Sequence, residues 1–144
     1  MTVHLLDVNV LVALLWPAHV GHLRAQNWFA QDSRGTWATC PFTQAAVVRI
    51  LSNPAFSSDA LTMEQAVSLL DRNLKHPAHR LWTDDISFIE AVRPFQKRLV
   101  GHQQVTDAYL LGLVIHRKGK LVTMDRTVSS LLPANERSNF VAII

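Results

Sequence analysis

Short apolar runs alternate along the chain with longer stretches whose apolar positions recur every three or four residues. Residues 2–6, with Val3, Leu5 and Leu6, predict a buried strand. Residues 8–15 then predict a helix that Trp16-Pro17 ends, and residues 19–31 a second one, with bulky apolar surface from Leu23, Trp28, Phe29 and Ala30. Asp32-Ser33-Arg34-Gly35 reads as a turn, and residues 36–40 as a second short strand. Beyond Pro41, residues 42–51 predict a helix burying Ala45, Val48 and Leu51, stopped by Asn53-Pro54. Thr62 followed three residues later by Gln65 has the form of a capping box, for a helix to about residue 73.

Residues 79–83 predict a third strand, after which Asp84, Asp85 and Ser87 offer a cap to a short helix over 87–95. Residues 106–118 carry Ala108, Leu110, Leu111, Val114 and Ile115, the wide stripe of a helix laid on a sheet. Arg117-Lys118 complement its C-terminal end, and Gly119 is the expected stop. Residues 120–124 predict a strand, 127–132 a short helical turn, and 139–144 a final edge or core strand after the break at Pro133-Ala134-Asn135. Strands alternating with helices predict an α/β fold whose mainly parallel sheet is covered on both faces.

A length of 144 residues suits a single domain spanning 1–144, and 49% apolar content excludes disorder. The apolar runs are too short for a membrane span, and Met1-Thr2-Val3-His4 does not begin an export signal. Cys40 stands alone, which rules out an internal disulfide and a cysteine-rich zinc site; a small buried residue and a cytoplasmic address are the simplest expectations. The formal charge of +3, from 14 Lys and Arg against 11 Asp and Glu, is compatible with nucleic acid without establishing it. Should the acids gather around a cation, the remaining surface becomes more positive and better suited to a polyanion.

Asp7 and Asp125 each end an apolar run, and Asp107 opens the longest striped segment. Carboxylates at strand ends and in a helix's first turn can converge across the edge of a parallel sheet, as a hard divalent cation requires. Asn9 sits where it can bond Asp7 or a cation's water. Each acid also has an ordinary role: Asp7 as a cap, Asp107 in a first turn behind a capping Thr106, Asp125 at a strand-to-turn ending. Their common setting is what joins them. His19 and His22 lie three apart, but no cysteine or third histidine accompanies them as a soft-metal set. His102, just before Thr106-Asp107, and Arg126, just after Asp125, are candidates for substrate phosphate. Glycine-rich phosphate loops, a Walker lysine and a nucleophile elbow are missing, and Asn9 breaks the Asp-x-Asp expected of a strand-end phosphatase.

With these residues in view, the chain resembles the PIN-domain ribonucleases, and within them the VapC-type toxins of bacterial type II toxin–antitoxin modules. Four blocks carry the resemblance in order: Leu5-Leu6-Asp7-Val8-Asn9; Cys40-Pro41-Phe42-Thr43-Gln44 through Asn53-Pro54; Val105-Thr106-Asp107-Ala108-Tyr109-Leu110; and Leu121-Val122-Thr123-Met124-Asp125. The resemblance implies a three-layer α/β/α fold and an endoribonuclease dependent on Mg²⁺ or Mn²⁺. It implies that Asp7, Asp107 and Asp125 are catalytic metal-binding acids, supported by Asn9 and Thr106. It further implies RNA as substrate, a homodimer, and a cognate VapB-type antitoxin whose tail covers a groove beside the site; Trp28 and Phe29 are candidate partner contacts. One departure touches chemistry. Gln44 stands where the family commonly has its remaining acid, and a neutral amide supplies neither charge nor an effective base. A catalytically weak or silent binding module is therefore the alternative expectation, unless Asp84, Asp85 or Glu90 makes up the loss.

Overall fold

Apolar side chains on successive strand residues point to opposite faces, and here both faces are covered. The computed structural model describes residues 2–31 and 36–144; the turn expected at 32–35 lies outside them. Its five strands are β1 (His4–Leu6), β2 (Trp37–Thr39), β3 (His79–Leu81), β4 (Lys120–Thr123) and β5 (Val141–Ile143). They form one sheet in the order β3-β2-β1-β4-β5, and every neighbouring pair is parallel. The helices are α1 (Val8–Leu15), α2 (His22–Gln31), α3 (Pro41–Leu51), α4 (Met63–Leu74), α5 (Phe88–Val92), α6 (Val105–His116) and α7 (Arg137–Phe140).

Leu6, Trp37 and Val122 face one way and pack with Val10, Leu11, Trp28, Val47, Leu51 and Ala66 from α1 to α4. Leu5, Ala38 and Leu121 face the other way, against Leu110, Leu113 and Val114 of α6. Val92, Phe95, Ala108 and Leu111 extend this second layer towards Val141 of β5. The result is the expected α/β/α arrangement. Cys40 and Trp28 both lie in the core, so Trp28 is not a surface contact for a partner. Among the described residues, no helix is long and apolar enough to cross a membrane.

Local rules account for most boundaries. Pro41 opens α3, because the first helical position needs no N–H donor. Thr62 and Gln65 form the anticipated capping box, with reciprocal bonds of 2.9 and 3.1 Å. The helix expected to run to 95 becomes 3₁₀ from Arg93, where Pro94 follows. The final strand begins at Val141 rather than 139, because Arg137–Phe140 make a helical turn first. Helix α2 starts at His22, later than expected, after a turn in which the His22 N–H bonds the His19 carbonyl at 3.0 Å.

The end of α6 differs from expectation in an instructive way. Lys118, not Gly119, takes the left-handed conformation, with φ of 56°. Its N–H bonds the Ile115 carbonyl and that of Gly119 bonds Val114, the paired closure of a Schellman motif. Gly119 is needed for space: a Cβ there would collide with the Trp82 ring and the Val3 carbonyl oxygen. Lys118→Gly should accordingly raise stability by about 1 kcal/mol. Gly119→Ala should lower it by about 1–3 kcal/mol. Urea denaturation of both variants checks this; equal effects in the same direction would contradict the division of roles.

Candidate active site

In an all-parallel sheet the strand C-termini share one edge, and the order 3-2-1-4-5 places the change of direction between β1 and β4. Asp7 follows β1 directly and Asp125 follows β4 by one residue, so the topology sets both acids at that junction. The Asp7 N–H continues the ladder to the Val122 carbonyl at 2.9 Å. The Asp7 carboxylate, only 6% exposed, caps α1. Its Oδ1 accepts from the Val8 N–H at 2.7 Å, and its Oδ2 accepts from the Thr123 hydroxyl at 2.7 Å.

Thr123 is fully buried and is the hub of this edge. Besides donating to Asp7, its oxygen accepts from Asn9 Nδ2 at 3.2 Å and from the Asp125 N–H at 3.0 Å. One donor and two lone pairs are all used. The Asn9 carbonyl oxygen accepts from the Met124 N–H at 3.1 Å, so Asn9 staples α1 to the end of β4 through both ends of its amide. Asp125 caps the short 3₁₀ helix Arg126–Leu131, its Oδ1 accepting from the Thr127 N–H at 2.9 Å and hydroxyl at 2.7 Å.

Asp107 enters from the first turn of α6. Burial raises its pKa to about 7, and the charges of Asp7 and Asp125 push in the same direction. Asp7 is also raised, chiefly by burial and further by Asp125, while the bonds from Thr123 and Val8 oppose the rise. Asp125 is thus close enough to disfavour the ionisation of Asp7 and Asp107, and Asp7 that of Asp107. Among the described residues, no three Asp, Glu, His or Cys side chains converge tightly enough to grip one ion. Asp7 and Asp125 instead turn oxygens to Thr123 and Thr127. The donor set is nonetheless all oxygen, and its shared penalty is one that a hard divalent cation would relieve.

The other candidates divide. Thr106 lies beside Asp107 in the first turn of α6, half-buried; it is not the cap, a position held by Gln104. His102 and Arg126 are exposed on the 3₁₀ segments that flank the acids. Gln44 donates through Nε2 to Thr39 Oγ1 at 2.9 Å, and Thr39 in turn meets His79 Nε2 at 2.8 Å. That bond holds the amide against β2. Of the acids weighed as replacements, Asp84 accepts from the Tyr109 hydroxyl at 2.6 Å and Asp85 pairs with Arg117 at 3.3 Å. Neither is among the charges that act on Asp7 or Asp107. Glu90 sits in the first turn of α5. His19 and His22 serve locally: His19 Nδ1 accepts from the Gly21 N–H at 2.9 Å, and His22 Nδ1 meets the Ala13 carbonyl at 2.7 Å. Thr123 was the functional residue that sequence reasoning passed over. Its only signal is that it is the polar member of the apolar run Leu121-Val122-Thr123-Met124.

The chain is similar to several known proteins. The profile of the PIN domain family matches residues 4–131. The chain is 41% identical over 127 residues to Ribonuclease VapC38 of Mycobacterium tuberculosis, covering 88% of each chain. It is 40% identical over 134 residues to Ribonuclease VapC29 of the same organism, covering 91% of each. Among solved structures, the crystal structure of VapBC2 from Rickettsia felis bound to a DNA fragment from their promoter is similar in fold. Its TM-score is 0.66 at 15% identity, over 99% of this chain and 98% of that one.

Thr123→Val keeps the shape of the hub and removes its hydroxyl, leaving partners on Asp7, Asn9 and Asp125 unsatisfied. A loss of about 2–3 kcal/mol is expected in chemical denaturation, with Thr123→Ser recovering most of it. A neutral Thr123→Val would contradict the hub.

Proposed function

We propose a nuclease function for this chain, which belongs to the PIN domain family and to its branch of VapC ribonucleases. In this reading it is a divalent-metal-dependent endoribonuclease, the toxin of a toxin–antitoxin module. It is a single PIN domain over residues 1–144, cytoplasmic, working as a homodimer restrained by a VapB-type antitoxin. The observation that supports the site assignment is that burial raises both Asp7 and Asp107 at the β1/β4 junction, with the charge of Asp125 adding to each and that of Asp7 adding to Asp107.

Asp7, Asp107 and Asp125 would hold Mg²⁺ or Mn²⁺, one or two ions, which suits hard oxygen donors. When bound, the cation supplies Lewis-acid stabilisation of phosphate charge and a source of hydroxide at neutral pH. The chain's own contribution is positional. Thr123 fixes the rotamer of Asp7, and Asn9 holds that rotamer's helix to β4. Asp125 is held through Oδ1 by the Thr127 N–H and hydroxyl. Thr106 lies beside Asp107 to orient ligand or water, while exposed His102 and Arg126 anchor RNA phosphates on either side. The phosphate-directed chemistry itself names no RNA sequence, so single-stranded loops of any RNA class are suitable substrates.

One observation favours a second reading. Gln44 adds no charge to the acids and gives its amide donor to Thr39. A fold that retains RNA and antitoxin binding with weak or silent catalysis has this feature too. Cleavage of a panel of structured RNAs with Mg²⁺ or Mn²⁺, and with chelator, separates the two. The nuclease reading predicts metal-dependent cleavage that falls at least about 100-fold in folded Asp7→Asn. Cleavage by Gln44→Glu alone would establish the silent-module reading. Cleavage unchanged in Asp7→Asn would remove the site assignment.

A further inference from the structure

Away from the acids, a cleft of about 510 Å³ opens between α2 and the beginnings of β1 and β4, closed on one side by the end of β5. Arg24, Asn27 and Gln31 of α2 line one wall, His4 and Lys120 the other, and the Trp28 ring stands between. His4 and Lys120 are register partners on adjacent strands. They alternate with Leu5 and Leu121, which pack into the opposite layer, so both are directed to the α2 side. The His4 ring meets Trp28 edge-on at 5.4 Å, which fixes the floor. Among the described residues, no Asp or Glu side chain lines the cleft. Neither Arg24 nor Lys120 has an ion-pair partner among the described residues, whereas Lys75 and Arg117 do.

Helix α2 connects the cleft to the edge of the sheet that carries the acids. Helix α2 follows Gly21, whose Cα lies so close to Met124 that a Cβ would come within 3.0 Å of the Met124 methyl. Met124 in turn binds Asn9 and precedes Asp125. From Gly21, Arg24 is about 5 Å and Gln31 about 15 Å along the helix axis, at roughly 1.5 Å per residue. Lys120 begins β4 and Asp125 lies beyond its other end, about 17 Å away at roughly 3.3 Å per residue, a length that a few nucleotides of RNA can span.

We propose that the cleft between α2 and the starts of β1 and β4 binds backbone phosphates of single-stranded RNA, through Arg24 and Lys120, outside the bond to be cut. The amides of Asn27 and Gln31 add donors that a phosphate or ribose accepts from, without reading a base. This rests on the nuclease reading for the identity of the polyanion. The connection along α2 and Met124 to the acid cluster favours RNA over an acidic polypeptide.

The test is binding of a fluorescent single-stranded RNA to full-length Asp7→Asn protein, with and without Arg24→Gln and Lys120→Gln, across a salt series. Each lost phosphate contact should make the slope of log affinity against log salt shallower by about 0.7, so about 1.4 for the pair. Affinity at physiological salt should fall roughly tenfold. Arg72→Gln with Lys75→Gln, which removes two charges from the end of α4 and its C-cap, should leave the slope unchanged. Arg24→Lys with Lys120→Arg should retain most of the affinity. In the background with Asp7 intact, the Arg24 and Lys120 pair should raise KM for RNA with kcat retained. Equal RNA affinity and slope in the parent and the pair, both folded by circular dichroism, overturn the cleft while leaving the nuclease reading in place. Loss of poly-glutamate binding without loss of RNA binding overturns it in favour of an acidic polypeptide. RNA binding that needs the pair, in a protein that never cleaves, keeps the cleft and removes the nuclease reading instead. Failure of the parent to bind RNA removes both.

Discussion

The hydrogen bond from Thr123 to Asp7 joins the two strands on which the site depends. A carboxylate 6% exposed at the end of an apolar strand is disfavoured by desolvation, and Asp125 adds a like charge nearby. Thr123 offsets part of that penalty and sets the direction of Asp7. The same oxygen receives Asn9 and the Asp125 N–H. One buried hydroxyl therefore couples β1, α1, β4 and the turn beyond it. Loss of that oxygen would loosen three site residues together.

Parallel topology supplies the rest. Because all strands run one way, their C-termini need no long loops to bring acids together; chain reversal through helices does it. Leu6 and Val122 anchor the junction on one face and Leu5 and Leu121 on the other. Helix α6, buried along Ala108 and residues 110–114, then delivers Asp107 from the second layer. Gly112 lets α5 lie directly on α6, since a Cβ there would fall on the Ala91 carbonyl. The acids are held by rigid elements, which suits repelling charges. Their electrostatic strain is a property of the fold, available to whatever cation or proton relieves it.

Much of this was legible in the residues. Apolar runs located every strand to within two or three residues, and Asp7, Asp107 and Asp125 were marked by their places at strand ends and a helix start. Thr62 and Gln65 announced their cap, because that bond is local. What was hidden depends on distance. Thr123 looked like an ordinary β-branched strand residue, since its partner is 116 positions away. The Gln44–Thr39–His79 chain crosses from α3 to β2 to β3, so composition could not say where the amide of Gln44 would turn. Gly119 looked like a left-handed cap because that is the usual use of glycine there. The Trp82 ring, 37 positions earlier, is what reserves its space. Trp28 read equally well as a surface or core residue until its packing on Leu6 and His4 was seen.

Asp7, Asp107 and Asp125, placed so that like charge helps raise the first two, are proposed to form one hard-cation site. Calorimetric titration with Mn²⁺ at pH 7, in buffers of different ionisation enthalpy, measures it directly. With Asp107 raised to about 7, part of its population carries a proton at that pH. A cation that engages the carboxylate must displace it. Mn²⁺ should bind with proton release, and more tightly as pH rises from about 6 to 8. Asp107→Asn should bind more weakly and release fewer protons. Equal affinity and equal proton release in Asp107→Asn would contradict it.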